Sequence, residues 1–127
     1  MNKNFLQIAV AAVVLGLVLW IMWAHHTPPV PVTRIYVETG SMEPVLHINQ
    51  DYDCIPPHAL VPGGPSAPFD KIKVGDILEF DAPWTAKPVA HRAVRKTLDG
   101  WVTRGDANGR EDTGFVTVLN YRGTVQP

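Results

Sequence analysis

Three polar groupings in this chain of 127 residues carry side chains suited to acyl transfer. They are Thr39-Gly40-Ser41-Met42-Glu43-Pro44, the histidine of Pro88-Val89-Ala90-His91-Arg92-Ala93-Val94, and the turn Gly105-Asp106-Ala107-Asn108-Gly109-Arg110-Glu111-Asp112. A serine hydroxyl is a weak nucleophile. It needs a base within hydrogen-bond reach, and that base gains from a third group that fixes its tautomer and stabilises its charged form. Ser41, His91 and an aspartate of the turn have the right types for these three roles. The developing oxyanion needs donors as well, for which the Ser41 amide and the Thr39 hydroxyl are candidates. Taken singly, each grouping reads as ordinary structure: a turn serine, a packed strand histidine, an Asp-rich turn. The chemistry requires that the three meet in space.

The elements that must position them are strands. Beyond Thr33 no stretch sustains the apolar spacing of a helix, whereas several short runs rich in Val, Ile and aromatic residues are bounded by Gly, Pro or Asp. This predicts a mainly β domain over 33–127, with strands at Thr33 to Glu38, Asp76 to Asp81, Val89 to Thr97, Trp101 to Arg104 and Phe115 to Val125, the last broken near Asn120. Asp99-Gly100 is a hairpin turn signal between two of them. From Asp51 to Lys73 the chain holds five prolines and the pair Gly63-Gly64, which predicts a surface excursion without regular structure.

Ahead of this domain, Phe5 to Trp23 form 19 consecutive uncharged residues. As a helix they extend about 28 Å, close to the roughly 30 Å of bilayer hydrocarbon. Residues 1–23 therefore read as a transmembrane anchor, with Trp20 and Trp23 at one interface. A cleaved secretory signal fits less well, because its apolar region is about 7 to 15 residues long and is followed by small residues, where this chain has Met22 and Trp23. Lys3 and the terminal amine precede the span, and the first cation after it is Arg34, a bias that predicts a cytoplasmic N-terminus and an exported β domain. Residues 24–32, rich in proline, predict a stiff extended linker. The adjacent His25 and His26 lack a nearby carboxylate or cysteine to complete a metal site.

Composition narrows the function classes. Eleven basic residues against 12 acidic ones give a formal net charge of -1, so no electrostatic excess points to nucleic acid. Arg92, Arg95 and Lys96, then Arg104 and Arg110, read as solvated strand and turn positions. Cys54 is the single cysteine, which rules out an intrachain disulfide and a thiolate metal site.

The motifs together resemble the signal peptidase I superfamily. Gly40-Ser41-Met42-Glu43-Pro44 is similar to its nucleophile motif, Lys73-Val74-Gly75-Asp76-Ile77-Leu78 to its strand-opening segment, Ala90-His91-Arg92-Ala93-Val94 to its general-base segment, and Thr103-Arg104-Gly105-Asp106-Ala107-Asn108 to its late Gly-Asp-Asn box. Histidine at the base position resembles the archaeal and endoplasmic-reticulum branch rather than the bacterial housekeeping members, which use lysine. Gly105 lies only 14 positions after His91. That leaves no room for the large inserted β-domain of the lysine-type enzymes.

The resemblance implies a serine endopeptidase that cleaves exported preproteins after small residues. Ser41, His91 and Asp112 are its catalytic set, Asp106 is a supporting acid, Thr39 and Ser41 form its oxyanion hole, and no metal or cofactor is used. Its implied partners are signal-peptide-bearing preproteins and the lipid bilayer. The residues by themselves do not rank Asp112 over Asp106. Thr39 stands where the family commonly has serine, which keeps the hydroxyl, and the stretch from Asp51 to Lys73 replaces a short link. The readings that compete are a processing peptidase for a single pilin, conjugation or phage client, and a non-catalytic membrane-anchored scaffold of the same fold. The self-cleaving SOS repressor group shares a Ser-Met motif, but it is cytoplasmic and uses lysine.

Overall fold

A computed structural model describes residues 2–25 and 32–127. The expected linker at 24–32 falls largely outside the described residues, as does His26. The chain forms two compact units, divided between Val30 and Pro31.

The first unit is a single helix, α1 (Lys3–His25). Asn2 caps it, its side-chain oxygen accepting from the Asn4 amide at 3.3 Å, which satisfies one of the amides that a helix start leaves orphaned. At 23 residues α1 is about 34 Å long. Its most apolar 18-residue stretch has a mean hydropathy of 2.6 and none of it is buried within the chain, which makes α1 a helix long and apolar enough to cross a membrane.

The second unit is a six-stranded antiparallel sheet. Its strands are β1 (Thr33–Tyr36), β2 (Asp51–Ile55), β3 (Ile77–Phe80), β4 (Val89–Lys96), β5 (Trp101–Arg104) and β6 (Tyr121–Gln126), in the spatial order β1-β2-β6-β3-β4-β5. The mainly β domain behind one apolar helix is thus as expected. Successive side chains of a strand point to opposite faces, and here both faces are covered. Leu78 and Phe80 of β3 pack with Ala93, Trp101, Val116 and Tyr121 on one face, while Ile77 packs with Val37, Met42, Leu46, Cys54 and Val125 on the other. Met42, Leu46 and Leu78 are fully buried, and each such side chain contributes about 1.5 to 3 kcal/mol relative to exposure.

The structure corrects the sequence reading at three places. Asp51–Ile55, expected within an irregular excursion, is β2, paired with both β1 and β6. The run from Phe115 is not a strand up to residue 120. Val116 makes one bridge to Trp101, and the chain then turns through Thr117 to Asn120. The Asn120 side chain builds that turn, accepting from the Thr117 amide at 2.6 Å and donating to the carbonyls of Phe115 and Asp81. Arg92, read as a solvated position, is partly buried and pairs with Asp106, whereas Arg95 is exposed as expected and pairs with Glu111 at the surface.

Candidate active site

The nucleophile candidate sits on a turn anchored from below. After β1 the chain stays extended through Thr39 (φ -127°, ψ 155°) and closes into a 3-10 turn over Gly40–Met42. Met42 and Leu46 drop into the core on one side of this turn. On the other side the Glu43 carboxylate accepts from the Ile48 amide at 3.1 Å and contacts His47 Nδ1 at 2.8 Å. These bonds, that from the Ile48 amide first, hold the Glu43 carboxyl below its ordinary pKa. The apolar anchors and the Glu43 brace leave Ser41 at the lip between them.

His91 comes from the middle of β4, where it lies opposite Leu78 of β3 and hence on the same face as Leu78 and Phe80. The Phe80 and His91 rings meet edge to face at 6.5 Å. The imidazole is held at both nitrogens: Nε2 is 3.0 Å from Ser41 Oγ and Nδ1 is 2.6 Å from Asp112 Oδ2. The side chains of His91 and Asp112 are 7% and 9% exposed, so water competes little for these bonds. Asp112 is itself fixed. Its Oδ2 accepts from the Thr103 hydroxyl at 2.7 Å, and its amide donates to the Thr103 carbonyl at 2.8 Å. The structure therefore brings Ser41, His91 and Asp112 into one hydrogen-bonded line.

Asp106, the other aspartate of the turn, points elsewhere. It takes a bidentate pair from Arg92, Nε at 2.7 Å and Nη2 at 2.6 Å, while Arg92 Nη1 donates to the Gly75 carbonyl at 2.6 Å. The guanidinium holds the Asp106 carboxyl below its usual range. Next to it the Ala107 amide donates to the Ser41 carbonyl at 2.9 Å, tying this turn to the nucleophile turn. Gly105 makes that approach possible. A Cβ there would stand 2.6 Å from both the Ser41 carbonyl oxygen and Asn108 Nδ2, closer than side chains tolerate.

Thr39 Oγ1 lies 3.3 Å from Ser41 Oγ. The Ser41 amide is among the first of its 3-10 turn, where no earlier carbonyl of the turn can accept it. The Thr39 hydroxyl and the Ser41 amide thus both lie close to the Ser41 hydroxyl. A cleft of about 590 Å³ opens beside Ser41, walled by β1 with its extension on one side and by Lys87 to His91 on the other. No group of three or more potential metal ligands occurs among the described residues.

Three residues have roles at the site that the sequence reading did not assign: Thr103, Arg92 and Gly105. Thr103 and Arg92 are placed by cross-strand register, Ala93 facing Thr103 and Arg92 facing Arg104, which the local pattern does not contain. The Gly105 signal was present, as a glycine heading a polar turn. Set against family profiles, curated proteins and solved structures, the chain finds no match.

Proposed function

We propose that this chain is a membrane-anchored serine endopeptidase that cleaves exported preproteins, with Ser41 as nucleophile, His91 as general base and Asp112 as the group that orients the base. The observation that carries this reading is the unbroken hydrogen-bonded line from Ser41 Oγ through both imidazole nitrogens to Asp112. In the working tautomer, Nδ1 carries the proton and donates a hydrogen bond to Asp112, leaving the Nε2 lone pair directed at the Ser41 hydroxyl. Ser41 Oγ attacks the scissile carbonyl as Nε2 takes its proton. The imidazolium then returns that proton to the leaving amine, and water, activated by the same nitrogen, releases the acyl group and regenerates Ser41. Thr39 Oγ1 and the Ser41 amide receive the oxyanion.

The substrate lies extended in the cleft, adding backbone hydrogen bonds to an edge as peptides do at exposed strands. The anchor α1 holds the domain at the bilayer where such substrates emerge, with Lys3 and the terminal amine on the cytoplasmic side and the β domain outside. The test uses full-length protein in detergent and a secretory preprotein. Wild type cuts once, near the end of the signal sequence, and Ser41→Ala does not. A Ser41→Ala variant that cuts at the wild-type rate refutes the assignment.

A further inference from the structure

One charged side chain in the cleft has no counterpart of opposite sign. Glu38 and Lys87 pair with each other across it at 2.6 Å, and Arg34 pairs with Asp53 at 3.4 Å. Glu79 also lines the cleft, and among the described residues no cation lies within ion-pair reach of it.

The sheet makes room for that carboxylate. Glu79 of β3 stands opposite Ala90 on β4 and Gly123 on β6, so its neighbours on its own face are a methyl group and a hydrogen. Gly123 is required there: a Cβ would lie 2.5 Å from the Ile55 carbonyl oxygen and 2.7 Å from Cys54 Sγ. The buried Cys54 thiol faces the same carboxylate, and burial first, then Glu79, pushes it up to about 12. The thiol therefore stays protonated and neutral, and Cys54 supplies no cation to pair with Glu79. A half-buried carboxylate on the floor of a substrate cleft disfavours an apolar side chain over it and favours a donor, most of all a cation.

We infer that Glu79 is a specificity-determining residue, and that the cleft takes a peptide carrying a lysine or arginine on the side of the cleaved bond that lies between β1 and β4. This deepens the peptidase reading, and it departs from the small neutral side chains implied by the resemblance. Glu79 lines the same cleft as Ser41, so the cation is selected within the cleft that opens beside the nucleophile.

The experiment uses full-length protein in detergent with a set of extended peptides, each carrying lysine, norleucine, alanine or glutamate at one scanned position. Affinity is read on Ser41→Ala, which binds without turnover, and cleavage is read on the wild type. At one position lysine binds at least about tenfold more tightly than norleucine, the size of a charge-assisted hydrogen bond in a partly desolvated site. In Ser41→Ala/Glu79→Gln the preference disappears while affinity for the alanine peptide stays within about twofold, and Glu79→Lys inverts it toward glutamate. Binding that ignores charge at every position, or a lysine preference that survives Glu79→Gln, overturns the inference. Charge-selective binding without Ser41-dependent cleavage upholds this inference and refutes the peptidase reading instead.

Discussion

The two ends of the turn between β5 and Val116 each carry an aspartate, and the two are used in opposite ways. At the near end Asp106 meets Arg92, a cation that cannot give up its proton under any ordinary condition, in a bidentate clamp. At the far end Asp112 meets the imidazole of His91, whose other nitrogen faces Ser41, and accepts from the Thr103 hydroxyl as well. The first pair has a fixed charge and holds the turn against the sheet and the nucleophile loop. The second has a partner that can gain and lose a proton while Asp112 holds it in place. Two aspartates six positions apart in one turn are set apart by their partners, a guanidinium for Asp106 and an imidazole that also reaches Ser41 for Asp112.

Substitutions can break that distinction, beginning with the groups that react. Ser41→Ala and His91→Ala should each lower preprotein cleavage by about 10⁵-fold or more, since groups that act as a unit fail together. Either variant retaining a tenth of wild-type turnover would remove its residue from the chemistry. Asp112→Asn keeps the shape but offers His91 Nδ1 an amide in place of a charge. A loss of about 10³- to 10⁴-fold is expected in single-turnover rate. Asp106→Asn, by contrast, should leave that rate within about threefold. Equal losses in the two asparagine variants would collapse the comparison.

Smaller effects sharpen it. Thr103→Val removes one of the bonds that hold Asp112, and a loss of about tenfold in kcat at unchanged folding midpoint is expected, the cost of a single charge-assisted hydrogen bond. Asp106→Asn should act on stability instead, by about 1 kcal/mol at neutral pH in urea unfolding of the full chain. Its sign with pH follows from the lowered carboxyl. With the folded value depressed by Arg92, the Asp106 contribution is present above the ordinary value of 3.8 and is lost as pH falls through the depressed one. Wild type and Asp106→Asn should therefore converge in stability as the solution is acidified below about pH 4. A gap that stays constant with pH would show that the Arg92 pair is not its source.

Much of this arrangement was legible in the residues. Ser41 and His91 were named by motif and residue type, Asp112 over Asp106 only by the resemblance, and the apolar anchor and most strands by their pattern. What escaped has identifiable causes. β2 is only Asp51-Tyr52-Asp53-Cys54-Ile55, an alternation of five residues running directly into Pro56 and Pro57, and the prolines masked its period of two. The false strand at Phe115 to Asn120 has β-branched composition, but Asn120 folds it into a turn through its own side chain. Arg92, Thr103 and Glu79 depend on which residue stands opposite them in a neighbouring strand, a relation between positions far apart in sequence.

The central claim is that Ser41 is an activated nucleophile, and its most direct test is chemical labelling. Full-length protein in detergent is treated at neutral pH with a fluorophosphonate that carries a small leaving group, and intact mass and peptide maps are recorded for wild type, His91→Ala and Ser41→Ala. The account predicts one adduct per wild-type chain, located on Ser41, much slower labelling of His91→Ala and none at that site in Ser41→Ala. Wild type that labels at Ser41 no faster than His91→Ala would contradict it.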